Sequence, residues 1–300
     1  MDALRTCNRA RVVGLALLLG YATAPAVEDL SPSQQQFLVG NTLWTLVHEM
    51  GHALISELDI HVLGREEDVA DLLASLALLH GTPNHAHGDE EIDYLWAAAV
   101  GWRTEWWLSR HDGDPTPYWD SHSLDIQRYY NIVCLMYGHN PEMLEQHPDL
   151  DLPGGRAVGC SDHEYLRAEG SVRRMLAIYG RSERQPGGAK VAVRFEAPTR
   201  AGHQPLADIV EASGVAAHVA EQTEMLFVLP RPISLVFGAC LGDESAFWRP
   251  ELGEIVVCYD LLERFVYLHG LHQCLERADE DSLAARRSCA RSVTRYPAGG

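Results

Sequence analysis

The chain has 300 residues, of which 46% are hydrophobic, 22% charged and 8% aromatic, a composition that excludes a disordered, collagen-like or low-complexity protein. Its 24 Lys and Arg against 42 Asp and Glu give a formal net charge of -18. Such a surface repels phosphate, so nucleic-acid binding is not expected. The length allows one large domain or two small ones with a substantial core.

The first 26 residues have the three parts of a secretory signal peptide. Arg5, Arg9 and Arg11 precede a short apolar run over 12–20, and small residues then offer a cleavage site, which we place after Ala26. The run is too short for a stable membrane anchor. We therefore expect a periplasmic or extracellular protein without stable membrane insertion after cleavage. The alternative is an uncleaved anchor or a buried helix.

Signal cleavage removes Cys7 and leaves six cysteines, an even number that suits disulfides in an exported chain. They are Cys134, Cys160, Cys240, Cys258, Cys274 and Cys289. The sequence alone does not choose among the possible pairings, and we favour the local one, which joins each cysteine of this series to its nearest neighbour (134–160, 240–258, 274–289). The alternative is that some of them are buried free thiols.

Helices dominate the predicted structure of residues 27–180. Apolar side chains recur at helical spacing, and a polar loop rich in His and acidic residues is expected over 80–93. Ser123 is a candidate N-cap for one of the helices. The predicted helices span 34–58, 65–79, 94–108 and 121–137, with two shorter ones between 141 and 179.

Strands are predicted only in the second part of the chain. Helix-breaking residues over 181–190 indicate a linker, and residues 191–300 follow it. The predicted strands are 190–197, 233–237 and 254–259, and the predicted helices are 205–224, 260–276 and 282–293. This order predicts an α+β fold, in which a mostly helical core packs on a small sheet that the C-terminal region supplies to the same fold.

The first long helix carries the motif His48-Glu49-Met50-Gly51-His52. Two imidazoles one turn apart face the same side of a helix and can bind one metal ion. Glu49 lies beside them, where it can take a proton from a metal-bound water. Gly51, inside the helix, indicates close approach by a substrate or a neighbouring strand. With 15 histidines in the chain a chance match is possible, so the context decides.

The next predicted helix begins with acidic residues that can complete a metal site. Glu67 and Asp71 are four apart and share a face, so Glu67 can be the third ligand and Asp71 can hold the outer nitrogen of a ligand histidine. Glu66 and Asp68 are the alternative ligands. A solvated acidic helix start, favoured by the helix dipole, is the non-functional interpretation.

The residues around the motif resemble a known family. The segments 48–55 and 62–71 are similar to bacterial metallopeptidases that are classed as a domain of unknown function, and to the wider gluzincin group, in which Glu-x-x-Ala-Asp (here Glu67 to Asp71) carries the third ligand. The resemblance continues in 121–138 and 152–165 and so covers about residues 36–180.

A second similar region lies in an unexpected place. The segments 240–250 and 254–260 also resemble the family, but there they precede the His-Glu-x-x-His helix, whereas here they follow it. The resemblance therefore implies a circularly permuted order, which a fold tolerates when its original termini are exposed and close together.

Other candidates are open to two interpretations. In the family-like segment 121–138, His122 is our first choice to stabilise the oxyanion of a tetrahedral intermediate, ahead of Arg128 and the adjacent tyrosines. The alternative is that Arg128 pairs with Asp125 and that Tyr129 and Tyr130 pack in the core. The histidines at 80, 85 and 87, with neighbouring acidic residues, either bind a second metal or form a solvated loop.

Together, the residues and the resemblance predict an exported zinc-dependent peptidase acting on a peptide or protein. His48, His52 and Glu67 would bind Zn2+, and Glu49 would activate the attacking water. Two alternatives remain open: a zinc-stabilised binding or scaffold protein that does not cleave peptides, and a metal-dependent hydrolase of a non-peptide amide.

Overall fold

The computed structural model describes residues 30–81, 88–112, 116–142, 152–182, 187–278, 288–289 and 293. The predicted signal peptide, the histidines at 85 and 87 and most of the predicted helix 282–293 lie outside the described residues.

The first helix, α1 (Pro32–Glu57), begins at a capping box. The backbone N–H of Gln34 donates to Ser31 Oγ, and Ser31 N–H donates to the Gln34 side chain, so two of the N–H groups at the helix start gain acceptors. Three further helices follow before residue 140: α2 (Glu66–His80), α3 (Gly88–Asp112) and α4 (Asp125–His139).

Two of these helices depart from the prediction. Helix α3 begins at Gly88, within the segment 80–93 that was expected to be a loop. Ser123 does not cap α4, because Leu124 is the N-cap and the Ser123 hydroxyl donates to Asp68 at 2.8 Å instead.

The first of the two shorter helices predicted between 141 and 179 falls before the break at 152–155 and lies almost entirely outside the described residues. The second is one nearly continuous segment. Helix α5 (Gly154–Gly159) passes through a π-helical turn (Cys160–Glu164) into α6 (Tyr165–Tyr179). In the second part of the chain, the predicted helix 205–224 is divided: after a 3-10 turn (Ala201–His203), α7 (Gln204–Ser213) and α8 (Val215–Leu226) meet at Gly214. Gly214 has φ of 75°, a left-handed conformation that glycine adopts without strain.

The sheet has four strands in the order β1-β2-β4-β3: β1 (Val191–Phe195), β2 (Ile233–Gly238), β4 (Glu254–Cys258) and β3 (Ala246–Arg249). The first three strands are parallel, and β3 runs antiparallel to β4, with Trp248 opposite Ile255. Strand β3 was not predicted, because its segment is short and lies in a stretch rich in turns. The long helix α9 (Tyr259–Arg277) directly follows β4.

Helix α1 is the centre of the packing. It contacts α2, α3, α7, α8, α9, β3 and β4, and its side chains Leu38 and Leu46 are fully buried. The apolar core is continuous between the helices of the first part and the sheet of the second. The mostly helical α+β fold is therefore confirmed, with the small sheet supplied by the C-terminal part.

Three disulfides join Cys134 to Cys160, Cys240 to Cys258 and Cys274 to Cys289, the same local pairs that the sequence favours. Disulfides of this kind persist in oxidising environments, so they indicate a protein that leaves the reducing cytoplasm. Among the helices of the described residues, none combines the length and the apolar character that a membrane span requires.

Close packing of α1 on α3 generates a first prediction. A Cβ at Gly40 would lie 2.9 Å from the Cα and O of Tyr94, both backbone atoms. Gly40→Ala should therefore push the two helices apart and lower the free energy of unfolding by about 1–3 kcal/mol, the usual cost of overpacking. Urea unfolding followed by circular dichroism measures the change.

The control is Gly170→Ala in α6, where a Cβ would meet only the flexible end of Arg174, at 3.8 Å. The better helix propensity of alanine should leave this variant as stable as the wild type or more stable by up to about 1 kcal/mol. Equal destabilisation of both variants would contradict the packing argument.

Candidate metal centre

Helices α1 and α2 touch at a glycine. A Cβ at Gly51 would lie 3.2 Å from Ala70 Cα and 3.3 Å from its Cβ, so the absent side chain lets the helices approach. The neighbour at Gly51 is therefore a helix, and the expectation of a strand there is wrong. This approach brings the acidic first turns of α2 to the histidines of α1.

Three candidate ligand atoms converge between the helices. His48 Nε2 and His52 Nε2 are 3.2 Å apart, and Glu67 Oε2 lies 3.4 Å from the first and 3.1 Å from the second. In tetrahedral coordination with bonds of about 2.0–2.1 Å, ligand atoms are about 3.3 Å apart. The donor types and their spacing therefore fit one small metal ion.

A carboxylate lies beside the outer nitrogen of each histidine. His48 Nδ1 lies 2.8 Å from Asp71 Oδ1, and His52 Nδ1 lies 2.7 Å from Glu66 Oε1. Such partners fix the tautomer and the ring orientation of a ligand histidine, with Nε2 left for the metal. Asp71 lies beside the outer nitrogen of a candidate ligand histidine, as predicted. Glu66 was predicted only as an alternative metal ligand, not as a partner of His52. The spacing of Glu66 from His52 gives no signal for this second contact.

The remaining acidic residue of this turn supports a loop. Asp68 accepts hydrogen bonds from Arg65 Nε at 3.0 Å and Ser123 Oγ at 2.8 Å, and Arg65 Nη1 donates to the carbonyl of His122 at 3.2 Å. These contacts place His122 at the site, with its Nε2 3.0 Å from Glu67 Oε2 and its Nδ1 2.8 Å from Asp120 Oδ1. The His122 side chain is 42% exposed and therefore accessible to solvent.

Glu49 lies beside the three candidate ligands and is buried, with 7% of its surface exposed. Burial raises the pKa of its carboxyl group, although His48, His52 and the nearby backbone N–H of Trp248 on β3 oppose this shift. The sequence does not reveal this contact, because it requires the unpredicted strand. A raised pKa suits a group that must accept a proton near neutral pH.

The pKa values of the other groups reflect one tight cluster. Hydrogen bonds from His122, His48 and His52 hold the pKa of Glu67 far below its usual range. Burial alone would lower the pKa of His52, but its hydrogen bonds with Glu67 and Glu66 outweigh burial and raise the pKa to about 9. The pKa of His122 is raised by its hydrogen bond with Glu67.

Arg128 does not form the ion pair with Asp125 that was predicted as the alternative to a role at the site. Its guanidinium forms two hydrogen bonds with Asp71, from Nε to Oδ2 at 2.8 Å and from Nη2 to Oδ1 at 2.5 Å. Tyr129 is buried and packs edge-on against Tyr130, with ring centroids 5.0 Å apart. The tyrosines therefore contribute packing, whereas Arg128 is linked to the site.

A second cluster of metal-binding residue types lies apart from this one. His203, Asp260 and Glu263 are buried together, but Arg200 bridges both carboxylates at 2.6 Å and 2.5 Å. The guanidinium already supplies the positive charge that these acids need. This cluster is therefore an ion-pair network of the core.

The chain matches a family described as "Putative metallopeptidase" over residues 21–176 and 195–292, most of its length. The protein therefore belongs to this family, and membership implies a metal ion. The matched residues include the whole α1–α2 site. Comparison with curated proteins and with solved structures gives no match. The permuted order of the chain stays a prediction.

The protonation of His52 generates a second prediction. A metal ion must displace the proton that His52 holds up to a pH of about 9, so metal binding should release protons and should tighten as the pH rises from 6.5 towards 9. Competition titrations with a chelator at several pH values, with an indicator dye for released protons, measure both effects. An affinity that does not change over this range would contradict the assignment of His52 as a ligand.

Proposed function

We propose that the protein is an exported zinc peptidase that hydrolyses peptide bonds by means of an activated water. The observation that carries the proposal is the placement of buried Glu49 beside a set of two histidines and one glutamate. A purely structural metal site has no need of a general base, so this carboxylate favours catalysis over a scaffold role. Family membership supports the peptidase class.

His48, His52 and Glu67 would hold the metal ion. A set of two histidines and one glutamate that leaves a position for water is typical of catalytic zinc, and the 3.1–3.4 Å spacing of the donor atoms supports this choice. When bound, Zn2+ supplies a Lewis acid that polarises the scissile carbonyl and lowers the pKa of water.

Two other side chains would act on the substrate. Glu49 takes a proton from the attacking water and later passes it to the leaving amine, a role that its raised pKa suits. His122 donates a hydrogen bond to the oxyanion of the tetrahedral intermediate from the open side of the site. Its ring is oriented for this by Asp120, 2.8 Å from Nδ1.

Strand β3 offers a place for the peptide. It is an edge strand of the sheet, and the backbone N–H of Trp248 reaches Glu49. An extended peptide added along such an edge would use backbone hydrogen bonds for affinity and would bring its own backbone close to Glu49. A peptide or protein substrate is therefore favoured over a non-peptide amide.

The compartment follows from the cysteines and the N-terminus. Three disulfides suit an oxidising environment, and the predicted signal peptide over 1–26 would direct the chain there. We propose the periplasm or the extracellular space.

The central test is Glu49→Gln, which keeps the size of the side chain and removes its basicity. Zinc content should stay at one ion per chain, whereas the cleavage rate on a mixed peptide library should fall by about 10²–10⁴-fold, the usual contribution of a general base. Metal analysis and mass spectrometry of the library measure the two quantities.

The wild type distinguishes the alternatives. If it binds zinc and cleaves no peptide, the peptidase proposal is wrong. Hydrolysis of small amides without peptide cleavage would then support an amidohydrolase, and no hydrolysis at all would support a scaffold.

The ligand assignment has its own test. Glu67→Ala removes a donor atom and should abolish stoichiometric zinc binding, whereas Glu66→Ala removes only the partner of His52 Nδ1 and should weaken binding by about 10–100-fold. Asp68→Ala, in the same turn, is the control and should leave the zinc affinity close to that of the wild type. Full zinc affinity in Glu67→Ala together with its loss in Glu66→Ala would reverse the two roles.

A further inference from the structure

Arg128 is a buried cation next to the candidate metal centre. It lies on α4 with 6% of its surface exposed, and its guanidinium faces the carboxylate of Asp71 in a two-point contact, Nε with Oδ2 and Nη2 with Oδ1. A two-point contact with a planar guanidinium fixes the orientation of the carboxylate and balances its charge. Both oxygens of Asp71 are therefore held by one neighbour.

Two tryptophans lie against the guanidinium. Its Cζ lies 3.6 Å from the centre of the Trp102 ring and 5.2 Å from that of Trp44. Trp44 in turn stacks on the imidazole of His48, with ring centroids 5.4 Å apart and an interplanar angle of 23°. The guanidinium and the His48 ring thus share a rigid aromatic neighbour in addition to Asp71.

The same Asp71 oxygen contacts both partners. Oδ1 lies 2.8 Å from His48 Nδ1 and 2.5 Å from Arg128 Nη2. If Arg128 were absent, Oδ2 would lose its donor and Asp71 could turn towards another partner. The side chain of Asp71 would then no longer fix the ring of His48.

We propose that Arg128 is a positioning residue for the metal centre, which acts through Asp71 to hold the ring of His48 with Nε2 directed at the metal. This role rests on the proposed function, in which His48 is a metal ligand. It goes further in assigning to α4 a part in metal affinity, although α4 supplies no ligand. Lysine cannot replace Arg128 here, because an ammonium offers neither the planar fork nor the stacking surface.

Arg264 provides a matched control for a purely structural role. It also makes a two-point contact with a carboxylate, Glu105, at 2.8 Å and 2.5 Å, is largely buried, and lies over the ring of Tyr267. Its ion pair joins α9 to α3 and includes none of the candidate ligands or their direct partners. Loss of this ion pair should lower the free energy of unfolding without changing the metal centre.

The experiment measures zinc affinity by chelator competition and the visible absorption spectrum of the Co2+-loaded protein, which reports ligand geometry. The variants are Arg128→Met, Arg128→Lys, Asp71→Asn and the double variant Asp71→Asn/Arg128→Met, with Arg264→Met and Arg264→Lys as controls. Both Arg128 variants should weaken zinc binding by about 10-fold or more and change the Co2+ spectrum, as for other partners of metal ligands. The Arg264 variants should do neither.

The double variant separates positioning from general stability. Because Arg128 acts through Asp71, adding Arg128→Met to Asp71→Asn should weaken zinc binding no further than Asp71→Asn alone. An equal additional loss in that background would overturn the proposal, and so would unchanged affinity and spectrum in Arg128→Lys. Should Arg128→Met not fold, Arg128→Lys against Arg264→Lys decides the question. A wild type that binds no zinc would overturn the metal site and this role together.

Discussion

The site depends on how closely α1 and α2 can approach. A side chain at position 51 would press on the backbone of Ala70, so glycine there sets the distance between the two helices. At this distance Glu67 and the two histidines lie close enough to share one ion, and Asp71 and Glu66 reach the outer nitrogens. A methyl group at this position would require α2 to move by a few tenths of an ångström, and closely packed interiors resist such shifts.

Around this contact, the polar side chains of the site pair with one another in a largely apolar interior. The two histidines contact carboxylates. One of these carboxylates, that of Asp71, contacts the Arg128 guanidinium, which lies against tryptophan rings. Each of these partners limits the rotation of the side chain that it contacts. His122 lies in a loop, contacts Glu67 and Asp120, and is more exposed than the two histidines of α1.

Local patterns in the sequence predict the elements that build the site, but not all of its contacts. The spacing of His48 from His52, and of Glu67 from Asp71, places each pair on one helix face by periodicity alone. Glu66 on His52, Trp248 on Glu49 and Arg128 on Asp71 depend on how separate elements meet, which periodicity does not encode. Strand β3 was not predicted for a related reason: its four residues are too few to show the alternation of apolar and polar residues that indicates a strand.

The position of Trp248 beside Glu49 has a consequence for the order of events in biosynthesis. The two residues lie about 200 positions apart, so at roughly 5–20 residues per second the ribosome needs about 10–40 s to supply the second after the first. During that interval the nascent chain already carries the His-Glu-x-x-His helix but lacks the strand that completes its surroundings. The late synthesis of β3 therefore delays completion of the surroundings of Glu49 until most of the chain has been made.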